Sequence, residues 1–140
     1  MLAAASVVEQ RSEHPLAKAV MVRTRDLGLA TPSAGDTFEA LVGAGAQASA
    51  DGHRYLVGSP ALMEDRGLAL NGLRDRVEQL ETSGQTAIVT AVDDRVLGVI
   101  GIADVIRPQA ADAIAELRQE GVDRIVMLTG DNARTGAAVA

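Results

Sequence analysis

A histidine and a proline interrupt an alanine-rich amphipathic stretch near the start of the chain, EQRSEHPLAKAV at residues 9–20. Because proline costs about 3 kcal/mol or more inside a helix, we expect one helix to end here and another to begin. An imidazole beside a helix N-terminus can be a surface residue, a core residue or a ligand contact, so His14 is a candidate binding residue. Glu9 and Glu13 add two carboxylates nearby, although charged side chains most often lie on solvated helix faces.

A pair of glycines, Gly43 and Gly45 in LVGAGAQA, forms a second candidate site. Glycines let a ligand approach the backbone closely, and their amides can face a phosphate group. A β-bulge or a tight turn explains the same pair equally well. The stretch is not a dinucleotide-binding fingerprint, because no third glycine and no helix follow at the required positions.

Polar residues near the end of the chain form a third candidate group: Asp104, Arg107, Thr129, Asp131 and Asn132. The motif TGDN directly follows an apolar segment, RIVML, and open α/β sheets bind ligands at the carboxyl ends of their strands. A threonine hydroxyl and helix-start amides suit a phosphoryl group, whereas an aspartate suits magnesium. The alternative is that Gly130–Asp131 only makes a turn and caps the next helix.

Two helices are expected to present His14. Apolar residues at helical spacing predict helices over 2–10 and 13–27. For the second helix, Ser12 is the expected N-cap, Pro15 falls in the tolerant first turn, and Gly28 supplies a C-terminal stop. Phe38 and Tyr55 are the only aromatic residues, so the core must be built from Ala, Val, Leu and Ile.

Short strands are expected to carry the glycines. From Thr37 onward, TFEALV, GAGAQASA and HRYLVG read as strands, with Asp51–Gly52 as a hairpin turn. Ser59–Pro60 then begins a short helix, and a further helix is predicted over 73–81 with Asn71 as its cap. This first part of the chain, residues 1–84, is therefore predicted to be an α+β unit.

A second unit is predicted over residues 85–140. TAIVTAV and RVLGVIGIA flank Asp93–Asp94 and should form a hairpin, and Pro108 opens a helix that is closed by Gly121. An apolar strand at 124–128 and a polar turn follow. The order strand, helix, strand, turn and helix is typical of a parallel α/β sheet, so the fold class is α/β.

Composition excludes several kinds of partner and site. The net charge of −6 argues against nucleic acid and anionic lipid, and the absence of cysteine excludes disulfides and thiolate metal sites. Two histidines are too few for a histidine-rich metal site. No segment approaches the roughly 20 apolar residues of a membrane span, and no signal-peptide pattern is present. We therefore expect a soluble, cytoplasmic chain.

Six motifs together are far more specific than any one of them: SEHPLAKAV, GAGAQA, VGSPALM, GQT, GIADVIRP and MLTGDN. Their order and spacing resemble the heavy-metal-transporting (CPx-type) P-type ATPases over essentially the whole chain. These enzymes pump metal ions through a membrane domain and use ATP to phosphorylate a cytoplasmic aspartate. The resemblance implies that 1–84 is a nucleotide-binding domain, and that 85–140 is part of a haloacid-dehalogenase-like phosphorylation domain.

The resemblance also implies roles for individual residues. Glu9 would face the exocyclic amine of adenine, and His14 would lie against the adenine ring. Gly43 and Gly45 would line the nucleotide cleft through their backbone, with Gly58 on a neighbouring loop. Ser59 departs from the asparagine that is often found after that glycine.

Four further residues would act nearer the phosphates. Asp104 and Arg107 would lie at the hinge between the two domains, near the ribose and phosphates, while Thr129 and Asp131 would support the transferring phosphoryl group as catalytic residues. The family uses ATP and Mg²⁺. The ligands that select the metal ion lie in membrane helices, and RIVMLTGDN resembles the zinc, cadmium and cobalt branch slightly more than the copper branch.

Several family motifs do not occur in these 140 residues: DKTGT with the phosphorylated aspartate, GDGxND, the actuator TGE loop and the CPx metal site. We therefore expect a fragment of the cytoplasmic part that binds ATP but does not hydrolyse it alone. Its partners would be ATP and the remainder of the ATPase, with no nucleic acid and no direct membrane contact. An alternative is a stand-alone nucleotide-sensing regulatory protein, whereas a small phosphatase is disfavoured because no DxDx[TV] pattern occurs.

Overall fold

The computed structural model describes residues 1–103 and 109–128. These residues form ten regular elements: α1 (Leu2–Glu9), α2 (Pro15–Asp26), β1 (Thr37–Leu41), β2 (Gly45–Ala50), β3 (His53–Gly58), α3 (Pro60–Asp65), α4 (Arg74–Thr82), β4 (Gln85–Val92), β5 (Arg95–Ala103) and α5 (Ala110–Gln119). The mixed α/β composition is as predicted.

The strands form one five-stranded sheet in the order β1-β2-β3-β4-β5, with each strand antiparallel to the next. The central pairing joins β3 to β4, where Gly58 lies opposite Val89 and Tyr55 lies opposite Val92. Since β4 and β5 continue the sheet that β1–β3 begin, the sheet runs across the predicted boundary at residue 84.

The predicted parallel sheet is not found among the described residues. The predicted parallel neighbours are the strands at 95–103 and 124–128, whereas β5 pairs antiparallel with β4 across the predicted turn at Asp93–Asp94. The hairpin itself is confirmed. The strand predicted at 124–128 is wrong, because this segment has no pairing partner within 1–103 and 109–128 and adopts no regular structure there.

The ends of α2 show one confirmed prediction and one correction. Gly28 ends the helix as predicted, with φ of 61°, and the bonds Gly28 N–H to Arg25 O and Leu29 N–H to Thr24 O complete a Schellman motif. The predicted cap, Ser12, is wrong, because Pro15 takes the first helical position and the preceding residue, His14, is the N-cap.

The predicted start is confirmed for α3, whereas the predicted cap is wrong for α4. Ser59–Pro60 begins α3 as predicted, and the Ser59 hydroxyl caps the helix by accepting a hydrogen bond from the backbone N–H of Leu62 at 3.1 Å. Asn71 does not cap α4, which begins at Arg74. Asn71 and Gly72 both have positive φ, so they form a left-handed turn that places the helix start further along the chain.

The core lies on both faces of the sheet. One face packs α1 and α2 against a row of small residues on β2, and its buried residues are Ala5, Val7, Val8, Val20, Ala46, Ala48, Ala50, Val57 and Ile88. Alanines on β2 let α1 lie close to the sheet. The opposite face packs α3 against Leu56, Val89 and Ala91, with Met63 fully buried. On the same face, Val77 and Leu80 of α4 pack against Ala87.

Helix α5 differs from the other helices in that none of its residues is buried, and Ile114 and Leu117 are 40% and 47% exposed. No helix within residues 1–103 and 109–128 is both long enough and apolar enough to cross a membrane.

Candidate functional site

A cleft of about 1190 Å³ opens on the α1–α2 face of the sheet. Its walls are the link between α1 and α2, the turn between β1 and β2, and the junction of β3 with α3. The cleft brings together all of the predicted binding residues that lie in the described part of the chain: Glu9, His14, Gly43, Gly45 and Gly58. The other four predicted site residues, Asp104, Arg107, Thr129 and Asp131, lie outside the described residues.

Glu9 is the last residue of α1 and is 8% exposed. Burial raises the pKa of its carboxyl group, and a hydrogen bond with the Ser12 side chain and the electrostatic attraction of His14 partly offset that rise. A buried carboxylate is stabilised by each hydrogen-bond donor that reaches it. Glu9 is therefore suited to accept a hydrogen bond from an amine group of a ligand in the cleft.

His14 is exposed and has a structural role as well. Its Nδ1 accepts a hydrogen bond from the backbone N–H of Leu16 at 3.2 Å, and its own backbone N–H donates to the Ser12 hydroxyl at 3.3 Å. An accepting Nδ1 assigns the proton of the neutral ring to Nε2. The imidazole thus holds a defined orientation at the cleft wall, with a donor at Nε2.

Backbone geometry favours glycine at positions 43, 45 and 58, for different reasons. Gly43 lies in the turn between β1 and β2 with φ of 72°, and a Cβ there would contact nothing within 4 Å. Gly45 and Gly58 are paired across β2 and β3, and a Cβ on Gly45 would overlap the carbonyl oxygen of Val57. The tight-turn interpretation therefore holds for Gly43, and the open space beside it also leaves its backbone accessible from the cleft.

Most of the cleft floor comes from apolar side chains that were not predicted as site residues: Leu16, Phe38, Leu41, Ala46, Val57 and Ile88. Phe38, Ala46, Val57 and Ile88 share one face of the sheet, and the alternation of apolar residues along β1–β4 is the signal that places them there. Two charged lining residues, Arg11 and Glu81, were not predicted either. Glu9, Glu13 and Glu81 line the cleft together with Arg11, the single Arg or Lys among its lining residues in the described part of the chain.

The described residues do not form a metal site. Within 1–103 and 109–128, no group of three or more His, Asp or Glu side chains could hold a metal ion. The aspartates that the resemblance associates with phosphate chemistry, Asp104 and Asp131, lie outside these ranges.

Comparison with known proteins gives consistent results. The family model for haloacid dehalogenase-like hydrolases matches residues 2–140. The chain is 39% identical over its full length to a copper-exporting P-type ATPase of Bacillus subtilis and spans 17% of that protein.

Two solved structures are similar in fold and sequence. A zinc-transporting PIB-type ATPase in the E2.Pi state has a TM-score of 0.69 and 37% identity, with 99% of this chain and 22% of that chain covered. The N-domain of HMA8, a copper-transporting P-type ATPase, has a TM-score of 0.56 and 31% identity, with 74% of this chain and 87% of that chain covered. The chain therefore belongs to the haloacid dehalogenase-like hydrolase family, within the branch formed by the heavy-metal-transporting P-type ATPases.

Proposed function

We propose that the cleft binds an adenine nucleotide, with ATP as its physiological ligand. The observation that supports this most directly is the convergence of three separate motifs. Glu9 and His14 in EQRSEHPL, Gly43 and Gly45 in VGAGA, and Gly58 in VGSP are far apart in the sequence but line one cleft.

The chemistry of the walls suits a purine base. The apolar floor removes the base from water, and burial of a flat aromatic ligand against such side chains is favourable. Glu9 accepts a hydrogen bond from the exocyclic amine, which stabilises a carboxylate that burial otherwise penalises. The imidazole of His14 lies against the ring, held in place by its bond to Leu16.

The ribose and phosphates are proposed to extend past the glycines. The open space at Gly43 allows close approach to the backbone. Ala103, the last residue of β5, pairs with Gln85, at the end of the sheet where Gly58 also lies. Asp104 and Arg107 follow in sequence, which supports their assignment to the ribose and phosphates.

The wider function proposed is that of the ATP-binding cytoplasmic segment of a heavy-metal-transporting P-type ATPase, which uses ATP with Mg²⁺. The chain spans 17% of the curated relative from Bacillus subtilis, so membrane transport would depend on other parts of such an enzyme. Relatives that export copper and a neighbour that transports zinc match at similar identity, so the metal ion is left open.

We further propose that the nucleotide-binding unit extends through β5 to Ala103 rather than ending at residue 84. The pairing of β3 with β4 and the match to 74% of the chain by an N-domain alone both support this longer unit. In this assignment Thr129 and Asp131 belong to the phosphorylation unit. Since no DKTGT motif occurs in the 140 residues, the chain is proposed to bind ATP without hydrolysing it.

Titration of ATP into the ¹⁵N-labelled 140-residue chain tests the nucleotide site. We expect ATP to shift the amide signals of Glu9, Gly43 and Gly45, and His14→Gln to weaken binding about tenfold through loss of the ring contact. His53→Gln is the matched control, because His53 lies at the start of β3, at the other end of the sheet from the cleft. Equal ATP affinities for the wild type and His14→Gln, with no shift at those three amides, would reject the site.

Hydrolysis needs a separate assay. The chain with ATP and Mg²⁺ should release no more phosphate than a buffer control. Magnesium-dependent release that is lost in Asp131→Asn would contradict the proposed inactivity, while leaving the binding site unaffected.

A further inference from the structure

Arg11 joins the α1–α2 wall of the cleft to the segment that leads into β1. Its guanidinium Nη1 donates a hydrogen bond to the carbonyl oxygen of Gly35 at 2.9 Å and approaches that of Asp36 at 3.5 Å. Arg11 lies in the turn between α1 and α2, whereas Asp36 immediately precedes β1. The side chain therefore ties the turn that carries Glu9 and His14 to the start of the sheet.

The far end of this link is firmly held. Gly35 is buried so closely against β2 that a Cβ there would lie 2.8 Å from the Cβ of Ala48. The backbone N–H of Asp36 donates to the carbonyl oxygen of Ser49 at 2.6 Å, which extends the β1–β2 ladder. The Gly35 carbonyl is thus a fixed point of the sheet.

The near end depends on such links. Between Glu9 and His14 the backbone N–H groups bond only within residues 6–12, for example from Arg11 N–H to Val8 O at 3.3 Å and from Ser12 N–H to Glu9 O at 3.2 Å. Gln10 adds a second tie, since its Nε2 donates to the carbonyl oxygen of Pro32 at 3.0 Å. Two consecutive side chains therefore attach this turn to the segment before β1.

We propose that Arg11 is a positioning residue for nucleotide binding: its hydrogen bond to Gly35, which precedes β1, sets the spacing between the turn that carries Glu9 and His14 and the sheet floor of the cleft. The inference rests on the proposed nucleotide site. It differs from a direct charge role, in which the cation attracts phosphate, because positioning acts on the residues that hold the base.

Comparing ATP with adenosine separates the two roles. If Arg11 positions the turn that carries Glu9 and His14, Arg11→Ala lowers the affinity for ATP and the affinity for adenosine by the same factor. We expect this factor to be about ten, for a lost hydrogen bond from a charged donor. Arg11→Gln, which keeps an N–H donor without the charge, then recovers part of the affinity for both ligands. Loss of ATP affinity with unchanged adenosine affinity, or no change for either ligand, would overturn the proposal.

A ligand-free measurement keeps this proposal separate from the nucleotide site. In ¹H–¹⁵N spectra without ligand, Arg11→Ala should shift the amides of Ser12, His14 and Leu16. Arg76→Ala is the control, because Arg76 is an exposed residue of α4 whose Nη1 donates to the Gln79 side chain at 3.3 Å. If the wild type binds neither ATP nor adenosine, the proposed function fails. Unshifted amides in Arg11→Ala would reject the positioning role of Arg11, whether or not the nucleotide site is correct.

Discussion

The imidazole Nδ1 of His14 accepts a hydrogen bond from the backbone N–H of Leu16 at 3.2 Å, so the residue assigned to the nucleotide base is also the N-cap of α2. One side chain thus links the stability of a helix to the geometry of the cleft. Substitutions at this position must be chosen to separate these two effects.

His14→Asn and His14→Ala separate capping from binding. Asparagine is among the best N-caps, so His14→Asn should keep the free energy of unfolding near that of the wild type. His14→Ala should lose about 1 kcal/mol because the Leu16 N–H loses its acceptor. Urea denaturation measures the free energy of unfolding, and calorimetric titration measures the affinity for ATP. Both variants should bind ATP more weakly, and wild-type ATP affinity in His14→Asn would show that the imidazole contributes only the cap.

Glu9→Gln should raise stability at neutral pH. Burial raises the pKa of Glu9, so the folded chain binds a proton more readily than the unfolded chain does. The free energy of unfolding therefore falls as pH rises from the ordinary glutamate pKa, near 4.5, through the raised folded value, and glutamine removes this loss. Thermal unfolding from pH 4 to 7.5 should show a gain for Glu9→Gln at pH 7 that vanishes toward pH 4. A constant gain at every pH would contradict the assigned cause.

Gly58→Ala should destabilise the fold more than Gly43→Ala. A Cβ on Gly58 would lie 2.5 Å from both the Ala44 carbonyl oxygen and the Leu62 side chain, and such overpacking costs about 1–3 kcal/mol. A Cβ on Gly43 meets no atom, so only its positive φ opposes alanine, at about 1 kcal/mol. Chemical denaturation of the two variants checks this order, and the reverse order would show that the strand pairing yields easily at Gly58.

Amide hydrogen exchange should be slowest in β3 and β4 and much faster in α5. The two central strands contribute Leu56, Val57 and Val89 to the buried core, whereas α5 buries no residue. Opening a helix without buried side chains exposes little additional apolar surface, so its local free energy of opening is small. Protection in 110–119 equal to that in 85–92 would mean that α5 is stabilised by contacts other than burial.

Local features of the fold were predictable from local chemistry. Gly28 ends α2, Asp51–Gly52 turns between β2 and β3, and Ser59–Pro60 begins α3, because each depends on residues within one turn of the chain. The capping of α2 is the informative exception. Ser12 is the better cap by residue type, but Pro15 occupies the first helical position and leaves the cap to His14.

Long-range pairing was not predictable in the same way. Two helices, α3 and α4, separate β3 from β4, and nothing in either strand specifies its partner or register. The apolar character of β5 indicated a strand covered on both faces, which favoured a parallel sheet. For the cleft, the motifs indicated the polar residues and glycines, while Phe38, Ile88 and Arg11 became apparent only when the sheet brought them together.

The two hairpin turns at the far end of the sheet lie side by side, and His53 and Arg54 each contact an aspartate of the other turn, Asp93 and Asp94. Strand β3 carries the chain from there to Gly58 at the cleft, a span of roughly 20 Å for six residues. A loop inserted at Gly52 or Asp94 would thus lie at the end of the sheet opposite the cleft. The sheet gives this small unit one end that can be lengthened, labelled or tethered while the other end keeps its shape.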